Sequence, residues 1–132
     1  MRVLRAFVRA NRGAAAVEFA LVCSVLFATL IGIFNVGWAF YCGADVRHGI
    51  ERASRLYIAD PNTTDAQFRS RVGDYLEVTR LADIGTTVTR TTLASGAPIV
   101  RITWTYDYML VVPFMTGGAL NFGSQIVVPI GA

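Results

Sequence analysis

The hydrophobic and polar positions divide the chain into three regimes. Residues 19–44 contain no charged side chain at all. As a helix rising about 1.5 Å per residue that block is about 39 Å long, against a bilayer hydrocarbon core of about 30 Å. It has no polar face, unlike the amphipathic helices that cover a globular core, and reads as a membrane span with some tilt or protrusion. Beyond it the pattern acquires a period. Val46, Ile50, Ala53 and Tyr57 recur at i, i+4, i+7 and i+11, one face of a helix. Arg47/Glu51 and Glu51/Arg55 form i, i+4 pairs away from that face, each worth about 0.2–0.5 kcal/mol. One long helix with an amphipathic second half is therefore predicted, with Gly43 and Gly49 allowing a bend between the halves and Asp60-Pro61-Asn62 ending it.

The third regime is short elements. Thr64 with Gln67 three residues on is a capping box for a second helix, with Phe68, Val72, Tyr75 and Leu76 on one face and Gly73 weakening it by about 1 kcal/mol. Asp83-Ile-Gly85 reads as a turn, after which the period falls to two. Thr86–Leu93 is a threonine-rich strand and Ala94–Pro98 a turn. Ile99–Leu110 is the clearest strand: Val100, Ile102, Trp104, Tyr106, Tyr108 and Leu110 alternate with Arg101, Thr103, Thr105 and Asp107. Val111–Gly123, with Pro113 and the Gly117-Gly118 pair, reads as a loop. Ser124–Ile130 is a last strand, with Pro129 suggesting an edge or a strand end. The expected fold class is α+β: a long N-terminal transmembrane helix running into a small antiparallel-sheet head with a second helix. The expected division is a basic leader over 1–13, a transmembrane helix over 14–44 and an extracytoplasmic head over 45–132.

Charge sharpens this picture. The formal net charge of +3 is unevenly placed. Arg2, Arg5, Arg9 and Arg12 precede the apolar block with no acid among them, whereas arginines and acids balance from Asp45 onward. A neutral head gives no support to nucleic-acid binding. Arginines flanking a first span stay in the cytoplasm, so the head is expected on the far side. Within the span, Ala16, Ala20, Ser24, Ala28 and Gly32 recur every fourth residue, a ridge that lets helix backbones pack closely. Trp38, Phe40 and Tyr41 fit an interfacial aromatic belt, and Asn35 is the one amide, able to bond across helices or face the interface.

Candidate chemistry is sparse. Cys23 and Cys42 lie about 28 Å apart along one helix, too far for the roughly 7 Å limit of an internal disulfide. His48 is the sole histidine; with Asp45 and Cys42 on the same helix it reads as an ordinary surface or interface residue rather than part of a catalytic triad. There is no phosphate-cradling glycine loop, paired-cysteine metal signature or nucleophile elbow. No enzyme activity, cofactor, metal or small-molecule substrate is expected.

The junction between basic leader and apolar block carries the motif. Arg12-Gly-Ala-Ala-Ala-Val-Glu-Phe-Ala20 puts a glycine five residues before a glutamate, and Phe19 directly after it. A carboxylate at the edge of a membrane segment is costly to bury and tends to be functional or paired. This arrangement resembles the processing site of type IV prepilins and pseudopilins, and the fuller string Arg12–Val22 resembles the TadE-like family of tight-adherence (Flp) pilus assembly proteins. The resemblance spans roughly residues 9–58. The helix reads Leu21-Val-Cys-Ser24 where many members carry a proline.

The resemblance implies a minor pilin or pseudopilin of the bacterial inner membrane, single-pass, N-terminus cytoplasmic and head periplasmic. A prepilin peptidase would cut between Gly13 and Ala14, and Glu18 and Phe19 would serve recognition and assembly. Glu18 would neutralise the freed amine of a neighbouring subunit; its alternative role is to favour a helix N-terminus through the macrodipole. The implied partners are the membrane, the peptidase, other pilins and the assembly platform. Another class remains open: an uncleaved, signal-anchored extracytoplasmic domain that binds a ligand or partner and needs no Glu18.

Overall fold

The computed structural model of the protein describes residues 11–111 and 118–130. Helix α1 spans Asn11–Ser54, α2 is a single turn at Leu56–Ala59, and α3 spans Asp65–Tyr75. A 3-10 turn at Leu81–Asp83 leads into strands β1 (Ile84–Thr92), β2 (Pro98–Leu110) and β3 (Gly118–Pro129). The expected α+β architecture is present: a long apolar N-terminal helix followed by a small antiparallel sheet. Arg2, Arg5 and Arg9 of the expected leader, and Gly117 of the glycine pair, lie outside the described residues.

The two halves of α1 meet different surroundings. From Gly13 to Trp38 its side chains are exposed or at most half-buried within the chain, and Phe19 is 70% exposed. From Ala39 onward one face is covered: Ala39, Cys42, Val46, Ile50 and Ala53 are buried, and Tyr57 continues the row on α2. All of these but Ala39 join Phe68 and Val72 of α3 and the inner face of the sheet in one core. The amphipathic period beyond residue 45 thus marks where the head docks.

Several expectations change. α1 runs unbroken through Gly43 and Gly49, so neither makes a bend. Both serve close approach instead. A Cβ at Gly43 would lie 2.8 Å from Cδ1 of Phe122, and one at Gly49 would lie 3.2 Å from Cδ2 of Leu76. Glu51 pairs with Arg47 at 2.7 Å and approaches His48 at 3.9 Å, not Arg55. The capping box forms: Thr64 accepts from the Gln67 amide at 3.3 Å, and the Thr64 amide donates to the Gln67 side chain at 2.8 Å. Phe68 and Val72 are buried as expected, but Tyr75 is exposed at the helix end while Leu76, just past it, packs into the core.

The sheet has the order β1-β2-β3, antiparallel throughout, with β2 central and β3 at an edge as Pro129 suggests. Ile84 and Gly85 belong to β1 rather than to a turn, and β1 ends at Thr92. Gly85 fits there because a Cβ would come within 2.6 Å of the Thr105 hydroxyl oxygen. The larger correction is β3. The stretch read as a loop up to Gly123 is strand from Gly118 on, registered from Leu110↔Gly118 to Ile99↔Pro129. Its glycines and Asn121 are poor strand formers locally; pairing with the long β2 overrides that. Gly123 sits where a Cβ would be 3.0 Å from the Trp104 carbonyl oxygen. The tight turn before β2 is as expected, with Gly96 at φ 84°.

Candidate functional site

The residues singled out for processing and assembly lie together on the first turns of α1. Asn11–Gly13 are already helical, and Gly13, Ala14, Glu18 and Phe19 are all exposed. A Cβ at Gly13 would meet nothing within 4 Å, so this glycine is not required by packing inside the chain. Ala14 and Glu18 are four residues apart, one helical turn, on one side of α1. Among the described residues no ion pair is made with Glu18.

The small-residue ridge runs up the same helix. Ala16, Ala20 and Ser24 are exposed, whereas Ala28 and Gly32 are half-buried. The polar groups of the apolar stretch are satisfied locally. Ser24 donates to the Ala20 carbonyl at 2.8 Å, Thr29 to Val25 at 2.9 Å and Asn35 to Ile31 at 3.1 Å. Asn35 thus bonds within its own helix. The aromatic belt is continuous: Phe34 stacks on Trp38 at 6.4 Å, Trp38 meets Tyr41 at 5.6 Å, and Phe40 contacts Phe122 of β3 edge-on at 5.7 Å.

Two polar anchors that no local sequence pattern reveals lock the head onto the helix. Asp45 accepts backbone N–H bonds from Glu77, Val78 and Thr79 at 3.0–3.1 Å, cradled by the loop after α3. Burial pushes its carboxyl up, but these amides outweigh it and hold the group below its ordinary 3.8. The second anchor is Arg90 of β1. It donates to the Thr63 carbonyl at 2.6 Å, reaches Asp65 at 3.4 Å and lies 5.6 Å over the Tyr57 ring. Both connect residues 25–34 positions apart, beyond the reach of periodicity.

Elsewhere the chemistry is quiet. Cys23 and Cys42 are free thiols, the second buried. Cys42 lies in one core with Tyr106, whose hydroxyl pKa is pushed up to about 12 by burial first and by the nearby thiol second. His48 is exposed, its imidazole near Glu51 rather than Cys42. Among the described residues no group of three or more His, Cys, Asp or Glu could hold a metal ion. Two open depressions flank the α2–α3 connection, one of them lined by Pro61, Asn62, Thr64, Asp65 and Arg90.

Among the described residues these features define a class: one helix near the N-terminus, long and apolar enough to cross a membrane, carrying a small α+β head. The family described as TadE-like protein matches residues 13–55, from the motif glycine to the end of α1, about a third of the chain. The match covers the helix and not the head. No curated protein and no solved structure matches the chain.

Proposed function

We propose that the protein is a minor pilin or pseudopilin, cut after Gly13 by a prepilin peptidase and working through helix packing with other pilins and the assembly platform. The observation that carries this reading is the position of Gly13 and Glu18. They open an apolar helix on exposed turns, where no contact among the described residues requires glycine or glutamate. A peptidase needs extended backbone, and glycine weakens the helix locally by about 1 kcal/mol. In this reading residues 1–13 are the leader, 14–44 the span in the inner membrane and 45–132 the periplasmic head.

Cleavage frees a cationic amine at Ala14, one turn from Glu18. A carboxylate there can neutralise the amine of an adjacent subunit, which removes two charges from lipid at once and sets the axial register. The exposed ridge of Ala16, Ala20 and Ser24 offers the close-packing face. The sizeable head fits an accessory subunit better than a short major pilin.

The test is the intact mass of the membrane-fraction protein with and without the prepilin peptidase. A chain beginning at Ala14 only in its presence is the expected result. A chain that keeps its first residues under both conditions supports the uncleaved, signal-anchored domain instead.

A further inference from the structure

The head does not simply sit on top of the helix; one corner of the sheet runs back down alongside it. Two anchor levels fix the alignment. At the upper level Arg90, paired with Val100, lies over Tyr57. At the lower level Tyr106 shares the core with Cys42, and its pair Phe122 packs on Gly43 and Phe40. From Val100 to Tyr106 a strand covers about 20 Å, and from Tyr57 to Cys42 a helix covers about 22 Å, so β2 runs antiparallel to α1 and nearly in step. Four more strand residues carry β2 about 13 Å further, to Leu110, level with about Ile33 of the apolar helix.

The β2–β3 hairpin beyond this level changes character. Ile84↔Tyr106 is the last β1–β2 pair, so from Asp107 on only two strands remain. Asp107 accepts from Asn121 across the hairpin and forms a polar rim. Past that rim the described residues are apolar: Met109 is 67% exposed and Val111 is 73% exposed, with Leu110 and Leu120 half-buried on the helix-facing side. Residues 108–132 carry no charged side chain, a second charge-free block nearly as long as the first.

We propose that the described ends of β2 and β3 past Asp107 and Asn121, residues 108–111 and 118–120, form a second membrane-contacting element, seated in the outer interface of the bilayer that α1 crosses. Met109 is exposed on the outer sheet face, while Leu110 and Leu120 lie half-buried on the helix-facing one. The hairpin runs beside α1, with Phe122 against Phe40 at 5.7 Å, so what surrounds the apolar helix at this level also reaches the outer face of the hairpin. Depth is limited by chemistry. The backbone edge of β2 past Tyr106 has no strand partner, and an open edge is not tolerated in the hydrocarbon core. The hairpin therefore rests at headgroup and upper-acyl depth, with Asp107 and Asn121 in the headgroups. Two contacts fix the tilt of the head over the membrane, which a single helix leaves free to swivel.

This proposal rests on the membrane-span reading of α1, and the test separates the two. The full chain, with Cys23→Ser and Cys42→Ala, is reconstituted in phosphatidylcholine vesicles, and an environment-sensitive fluorophore is attached through Val111→Cys, Met109→Cys, Leu26→Cys or Thr91→Cys. Thr91 is exposed at the opposite end of the sheet. The expected result is blue-shifted emission at positions 109 and 111, quenched about twofold or more by lipids spin-labelled near the headgroup, with position 91 quenched only by aqueous iodide. Lipid quenching at position 26 with iodide quenching at 109 and 111 overturns the hairpin proposal and leaves the span standing. Iodide quenching at all four overturns both. Protection of 109 and 111 from both quenchers places a protein partner on the hairpin and also overturns the proposal.

Discussion

One helix is built for two solvents. Between Phe19 and Trp38, α1 is free of charge on every side and the described residues leave most of it uncovered; from Ala39 up, one row is buried to zero or near-zero exposure, and from Asp45 the positions of α1 outside that row are charged, polar or glycine. Both halves are hydrophobic, so hydrophobicity alone does not distinguish them. What distinguishes them is whether the apolar positions have a period. A helix whose surroundings are uniform needs no preferred face, whereas a helix packed against a sheet needs one. In the proposed reading the lower half is shaped by lipid and other helices; the upper half is shaped by its own head.

Substitutions separate the two halves. The largest effect is expected at the packed row. Tyr57→Ala empties a fully buried site against Phe68 and removes the platform under Arg90, at about 3–5 kcal/mol in head stability. Denaturant titration in detergent micelles reads the loss, while membrane retention stays unchanged. The converse is Phe27→Arg in the uncovered half. It disfavours insertion by about 3 kcal/mol and leaves the head's denaturation midpoint where it was. A variant that moved both readouts together would remove the distinction between the halves.

Next in size is Asp45→Ala, which strips the cradle of three backbone amides. The carboxylate is partly exposed, so solvent screening places the loss at about 1–2 kcal/mol, the low end for hydrogen bonds to a charged group. Its pH dependence is signed. The folded-state pKa lies below 3.8, so the contribution is complete above the ordinary carboxylate range and fades as pH falls through 3.8 and then through the folded value. The stability gap between wild type and Asp45→Ala therefore narrows on acidification, as thermal melts from pH 7 to pH 3 would record. The smallest effect has the opposite sign. The Thr86 hydroxyl is buried without a protein partner, beside the equally unpartnered Trp104 Nε1, its cross-strand neighbour. Thr86→Val keeps the branched shape and removes the buried hydroxyl, raising stability by about 1 kcal/mol in the same melts.

What was legible in the sequence follows from the range of the forces involved. The long apolar helix, the row of Val46, Ile50 and Tyr57, the Thr64–Gln67 cap and the alternation of β2 are local signals, and each element stands where its pattern puts it. The failures are non-local. Gly43 and Gly49 read as bend points because nothing nearby in sequence announces Phe122 or Leu76. The first half of β3 read as a loop because Gly118, Asn121 and Gly123 become strand only through the register imposed by β2. Asp45 was visible only as the first charge after the apolar block; its partners lie 32–34 residues away. The Gly13–Phe19 motif was legible through the resemblance it carries, and the family match begins at that glycine. The head lies beyond that match, so the hairpin and the two polar anchors had to be read from the structure.

The most direct test of the two-solvent helix is a cysteine-accessibility scan along α1 in membrane vesicles, in the Cys23→Ser, Cys42→Ala background, using a membrane-impermeant maleimide. The expected result is that positions 19–38 are unreactive on every side of the helix until detergent is added, while the solvent-facing positions Ala44, Arg47, His48 and Arg52 react at once. Reaction at Phe27 and Leu30 as fast as at His48, without detergent, would contradict it and place the lower half of the helix in water or under a soluble partner.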